Sequence, residues 1–168
     1  MKPSITNLIA EIKQERQGRR QSAPMQAPVS QERLRKLLDR GRELDYSFPA
    51  AYLDVLSIVD GIDSNGIVLY ASETQPLAGH TDRLDYTIEG IVEANLIWRN
   101  HEPNKNFVFF AEAGDMVYCH DLTTDKFQIM DRIAQDVDDE SDLFGTCEEL
   151  LEKIFNHMLD RYGEVGEE

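Results

Sequence analysis

The sequence predicts an α+β fold, a mainly antiparallel sheet of about four to six strands wrapped by α-helices. Three observations predict it. Residues 107–130 hold three short runs of β-branched and aromatic residues, joined by turn-rich segments too short for crossovers. Apolar residues recur at helical spacing on both sides of that stretch. The chain has 168 residues, 41% of them hydrophobic, enough for the core of one ordinary domain.

The first helix is expected after Ser4, a capping residue, with Ile5, Leu8, Ile9 and Ile12 on one face. It fades into "QGRRQSAPMQAP", Gln17 to Pro28, where prolines, a glycine and polar residues mark a loop or linker. Residues 1–29 thus read as a basic N-terminal helix and linker, and residues 30–168 as the α+β domain. Ser30 starts the second helix. Val29 and Leu34 are spaced as a hydrophobic staple, Leu34, Leu37 and Leu38 form the apolar stripe, and Gly41 is the expected stop.

In "FPAAYLDVLSIVDG", Pro49 suits a first turn, where no amide donor is needed. Tyr52, Val55, Leu56 and Val59 then share a face that Leu53 and Ile58 widen, which predicts a largely buried helix. Gly61 closes it and Asn65-Gly66 turns the chain into a strand, Ile67 to Tyr70. "DYTIEGIVEANLIWRN" reads as another helix, with Ile88, Ile91, Val92, Asn95 and Leu96 on one face. An amide on that stripe needs partners; a nearby loop backbone is expected, with a ligand contact as the alternative. The three meander strands are Phe107–Ala111, Met116–His120 and Phe127–Met130. An acidic loop, "AQDVDDESDLFG", follows. Thr146 and Glu149 then form a T-x-x-E capping box ahead of a stripe running from Cys147 through Leu150, Leu151, Ile154, Phe155, Met158 and Leu159 to Tyr162.

No apolar run approaches the ~20 residues that span a bilayer, and the N-terminus lacks the features of a secretory signal. Two cysteines are too few for a disulfide framework, so a cytoplasmic protein with reduced thiols is expected. The net charge of −15 is divided unevenly: residues 1–45 carry ten Lys/Arg against six Asp/Glu, and residues 46–168 carry seven against 26. The acidic body repels phosphate backbones and attracts a basic protein partner. That argues against nucleic acid as a direct partner.

Chemistry-bearing motifs are scarce. "YCHD" places Cys119, His120 and Asp121 in a row, but strand neighbours face opposite ways, so neither a metal site nor a Cys–His nucleophile is expected there. The loop around Asp136, Asp138, Asp139 and Glu140 resembles a calcium loop only in charge. An EF-hand counted from Asp136 needs Gly and Glu where Ser141 and Cys147 stand. A solvated loop is the first expectation for this segment, the alternative being that these four acids are candidate partner contacts. Neither phosphate-binding glycine loops nor hydrolase signatures occur, and no cofactor is expected.

The order of elements, with "FPAAYLDVL", "DG", "NGIVLY", "NLIWR", the meander "FVFFAEAGDMVYCHDLTTDKFQIMDR" and "FGTCEELLEKIF", resembles the SUKH superfamily. That superfamily includes the yeast Smi/Knr cell-wall synthesis regulators and many bacterial toxin-immunity proteins. Phe48-Pro49 and Asp60-Gly61 stand where the family pattern has Leu-Pro and Asn-Gly. The resemblance covers roughly residues 30 to 160. It implies an α+β fold, no catalytic residues and a role in binding proteins. The leading expectation is an immunity-like protein that neutralises a basic, nuclease-type toxin. The alternatives are a regulator or scaffold of the Smi/Knr type and, from another class, a hydrolase with a carboxylate site, which no motif supports.

Overall fold

The computed structural model describes residues 2–19, 24–80, 85–137 and 139–163. Its first helix, α1, spans Pro3–Gln17 and buries Ile5, Leu8, Ile9 and Ile12, the face read from the sequence. Ser4 is not its cap. Proline has no amide to satisfy, so the helix opens on Pro3 with Lys2 at the N-cap, and the Ser4 hydroxyl donates to Glu152. The boundary at residue 29 rests on the loop-like composition of residues 17–28. The buried face of α1 belongs to the same hydrophobic cluster as the rest of the molecule. Arg16 also donates to the Asp63 carbonyl at 2.8 Å, and Glu11 pairs with Arg161 at 2.5 Å.

Helix α2, Gln31–Arg40, is capped by Ser30, whose hydroxyl accepts from the Arg33 amide. Its stripe is narrower than expected, with Leu37 buried and Leu38 half exposed. Gly41 does not end it in a left-handed turn: the chain continues through a 3-10 turn, Gly41–Leu44, and Asp45 takes the positive φ. Glycine is needed at position 41 for space, because a Cβ there would sit 2.7 Å from the Tyr46 carbonyl.

Helix α3, Ala50–Leu56, follows Pro49 and buries Tyr52, Val55 and Leu56 completely. Gly61 then adopts φ 87°, where a Cβ would meet Ile88 at 2.8 Å. Strands β1 (Ile62–Ser64) and β2 (Ile67–Leu69) form a hairpin closed by Asn65 and Gly66, both at positive φ as a two-residue I′ turn requires. Strands β3 (Gln75–Pro76) and β4 (Thr87–Ile88) make a separate two-stranded ribbon.

Helix α4 is Ile91–Trp98, shorter than the sequence pattern suggests. Ile88 is apolar because β4 buries it, not because it extends the helical face, and Gly90 is the N-cap. Leu96, expected on the buried stripe, is partly exposed. The meander strands are β5 (Phe107–Glu112), β6 (Met116–Asp121) and β7 (Lys126–Asp131); β8 (Leu143–Phe144) and α5 (Cys147–Met158) complete the chain.

The main sheet has six strands in the order β1-β2-β5-β6-β7-β8, every neighbour antiparallel. The fold is therefore α+β, as the sequence predicts. Both sheet faces are covered. On one, the Tyr118 hydroxyl meets His157 of α5 at 2.8 Å; on the other, the Phe109 ring stacks on Trp98 of α4. Asn95 joins α4 to the sheet. It accepts from the Phe109 amide at 2.7 Å and donates to the Phe109 carbonyl at 2.8 Å. Strand β2 pairs only with Ala111 and Glu112, so Asn95 supplies a strand-like partner at an edge position that β2 does not reach. Its partner is a strand backbone rather than the expected loop, and a buried amide on an apolar stripe is thereby satisfied.

Candidate functional site

The acidic segment after β7 begins in a tight turn. The Asp131 carboxylate accepts from the amides of Ile133 and Ala134, at 2.8 and 2.7 Å, which holds its pKa below the usual carboxylate range. The Asp131 amide donates to the Asp136 carbonyl, and the Arg132 amide to the Asp115 carbonyl. Further on, Asp139 caps the short turn Glu140–Asp142 by accepting from the Ser141 amide, which also lowers its pKa. Asp136, Asp139 and Glu140 are exposed, and Asp138 lies outside the described residues. Three of the four acids singled out by sequence therefore face solvent on one segment. Among the described residues no group of three or more His, Cys, Asp or Glu side chains is placed to hold a metal ion.

The remaining sequence candidates sit in the core. Cys119 is fully buried, and burial pushes its thiol pKa well up. His120 lies on the opposite strand face, where its ring stacks on Phe127 and its nitrogens meet the Tyr46 hydroxyl at 2.8 Å and Asp125 at 2.9 Å. Cys147 is also buried, its thiol pushed up to about 12. A thiol in such surroundings is a poor nucleophile, since the thiolate is the reactive form. His157 is held neutral instead, its pKa lowered to about 4 by burial and by the neighbouring Lys153.

A second surface escaped the sequence reading. The turn after β7 stands beside the outer side of α4, and between them lies a cleft of about 550 Å³. Ile97 of α4 is 68% exposed and Ile133 of the turn 94% exposed, and both line it. Trp98 also lines it, pinned by its stack on Phe109 and by an indole hydrogen bond to the Tyr70 hydroxyl at 2.9 Å. The Arg132 guanidinium lies 5.1 Å from the Trp98 ring centroid, donates to the Ala113 carbonyl and pairs with Glu112 at 3.3 Å. Glu89 completes the acidic side. Burial raises the pKa of Glu112, Arg132 opposes that shift and the nearby Glu89 reinforces it. The only sequence signal for this cleft is that Ile97 falls off the buried stripe of α4.

No family model matches the chain, and no curated protein matches it. Among the described residues no helix is long and apolar enough to cross a membrane.

Proposed function

We propose that this chain is a non-catalytic protein-binding module of the SUKH kind, immunity-like in role, that captures and neutralises a basic, nuclease-type toxin in the cytoplasm. The observation that carries this reading is the charge division. Residues 46–168 carry 26 acidic side chains against seven basic ones, and Asp136, Asp139 and Glu140 present part of that charge to solvent. A nuclease is positive where it meets phosphate, so an acidic surface can occupy the same ground. Two free, buried cysteines are compatible with a reducing compartment.

The test begins with capture of the native partner from the source cell. Its isoelectric point and its activity are then measured with and without this chain. The reading expects a basic partner whose activity falls as the chain is added in stoichiometric amounts. An acidic partner, or a basic one that stays fully active when saturated, contradicts it.

A further inference from the structure

We propose that the cleft between α4 and the turn after β7 docks a basic, aliphatic-bearing segment of a partner protein, seating a Lys or Arg between Glu89 and Glu112 and an apolar side chain between Ile97 and Ile133. The proposal rests on the basic-partner reading above and assigns it a second surface, distinct from the Asp136–Glu140 segment.

The apolar half is built to stay where it is. Ile133 is almost wholly exposed, yet hydrogen bonds on its own amide and on Arg132, Ala134 and Gln135 fix the backbone around it. The Gln135 side chain adds another, to Asn104 at 2.6 Å. An isoleucine held into water by so many bonds loses little freedom on binding, so its contact area is not spent on ordering it. Facing it, Ile97 projects from a helix whose other side is anchored through Asn95. Trp98 and Arg132 between them are the residue types that most often dominate binding energy when desolvated at the centre of an interface.

The charged half selects the occupant. Arg132 is engaged by Glu112, and no cation pairs with the Glu89 carboxylate among the described residues. The cleft therefore has an acidic position to spare. A second copy of this chain is a poor occupant, because face-to-face pairing would bring these same carboxylates together on a chain of net charge −15. An incoming cation instead relieves the repulsion between Glu89 and Glu112.

The test is a titration of the full chain, followed by NMR, with three short synthetic peptides of alternating residues: lysine with leucine, lysine with serine, and glutamate with leucine. The lysine–leucine peptide is expected to bind saturably, with the largest shifts at the Trp98 indole, Ile97 and Ile133. I133S, fully folded because the side chain touches little, should weaken that binding roughly tenfold, the loss expected for one apolar anchor. E89Q should weaken it severalfold at low salt and less at high salt. If I133S binds as tightly as the parent, or if shifts are confined to Asp136–Glu140, the cleft is not the docking site, and the basic-partner reading survives. If the glutamate–leucine peptide binds the same residues equally well, the basic-partner reading fails and this proposal fails with it. Concentration-dependent dimerisation abolished by I133S would also overturn it, by assigning the face to a second copy.

Discussion

Helices α4 and α5 lie against the same sheet and are used in opposite ways. The α5 stripe is buried from Cys147 to Met158, where the helix ends, so that Tyr162 of the expected stripe is exposed, and even His157 is drawn into the core. Helix α4 buries Ile91, Val92, Ala94 and Asn95 but leaves Leu96 and Ile97 in water. The first helix carries stability, and its titratable histidine is held neutral by its surroundings. The second is tied to β5 through Asn95 and the Trp98–Phe109 stack and keeps apolar surface available on its outer side. Burial alone separates the two roles: an apolar side chain already removed from water has little further to gain from a partner, whereas Ile97 and Ile133 still do.

The comparison is most easily broken by truncation. On the α5 side, L56A or L151A should cost ~2–5 kcal/mol in urea unfolding, since each removes a fully buried side chain from the shared core. I97A should stay within about 0.5 kcal/mol of the parent. Equal losses at Leu151 and Ile97 would mean that α4 is as deeply packed as α5. A smaller effect tests the fastening. N95A leaves the Phe109 amide and carbonyl without their partner in a dry setting and should cost ~1–3 kcal/mol. A neutral result would show that water or β2 replaces the amide.

A pH series sharpens the same contrast. The folded-state pKa of His157 is depressed to about 4, so the unfolded chain binds the extra proton first. Its contribution to stability is fully present above the ordinary histidine pKa of ~6.5 and is lost as pH falls from there toward 4. Replacing His157 with Gln should flatten the stability profile in that window. An unchanged slope between parent and variant would place the acid sensitivity elsewhere.

The meander and α5 were legible because their periods are unambiguous and their partners lie nearby in sequence. Helix α3 and the Asn65-Gly66 turn were legible for the same reason, but α3 stops at Leu56 with Ser57 as its C-cap, so Gly61 turns the chain four residues later and does not close the helix as expected. What escaped depends on residues far apart. Strand β1 is only three residues long, too short to show alternation. Asp60 reads as half of an Asp-Gly turn, but its carboxylate is buried and accepts from the Ser72 amide and hydroxyl and from Gln75. It ties the end of α3 to the loop before β3, through partners no local pattern announces. The reciprocal bond of the capping box was also displaced by one residue: Thr146 caps the Glu149 amide, but the Glu149 carboxylate accepts from Gly145. The acidic segment could be found by counting charges. The cleft could not, because "DRIAQ" reads as an ordinary turn until α4 stands beside it.

The smallest expected effect on stability carries the largest functional weight. Neutralising Asp136, Asp138, Asp139 and Glu140 to Asn and Gln should leave the unfolding midpoint nearly unchanged, because exposed charges such as Asp136 and Glu140 contribute little to it and the side-chain oxygen of D139N can still accept from the Ser141 amide. The decisive measurement is the association rate of parent and neutralised chain with the captured partner, each at low and high salt. Charge-steered capture predicts that neutralisation slows association roughly tenfold or more at low salt, and that the difference shrinks as salt screens the parent. Association indifferent to both salt and the four substitutions would contradict it.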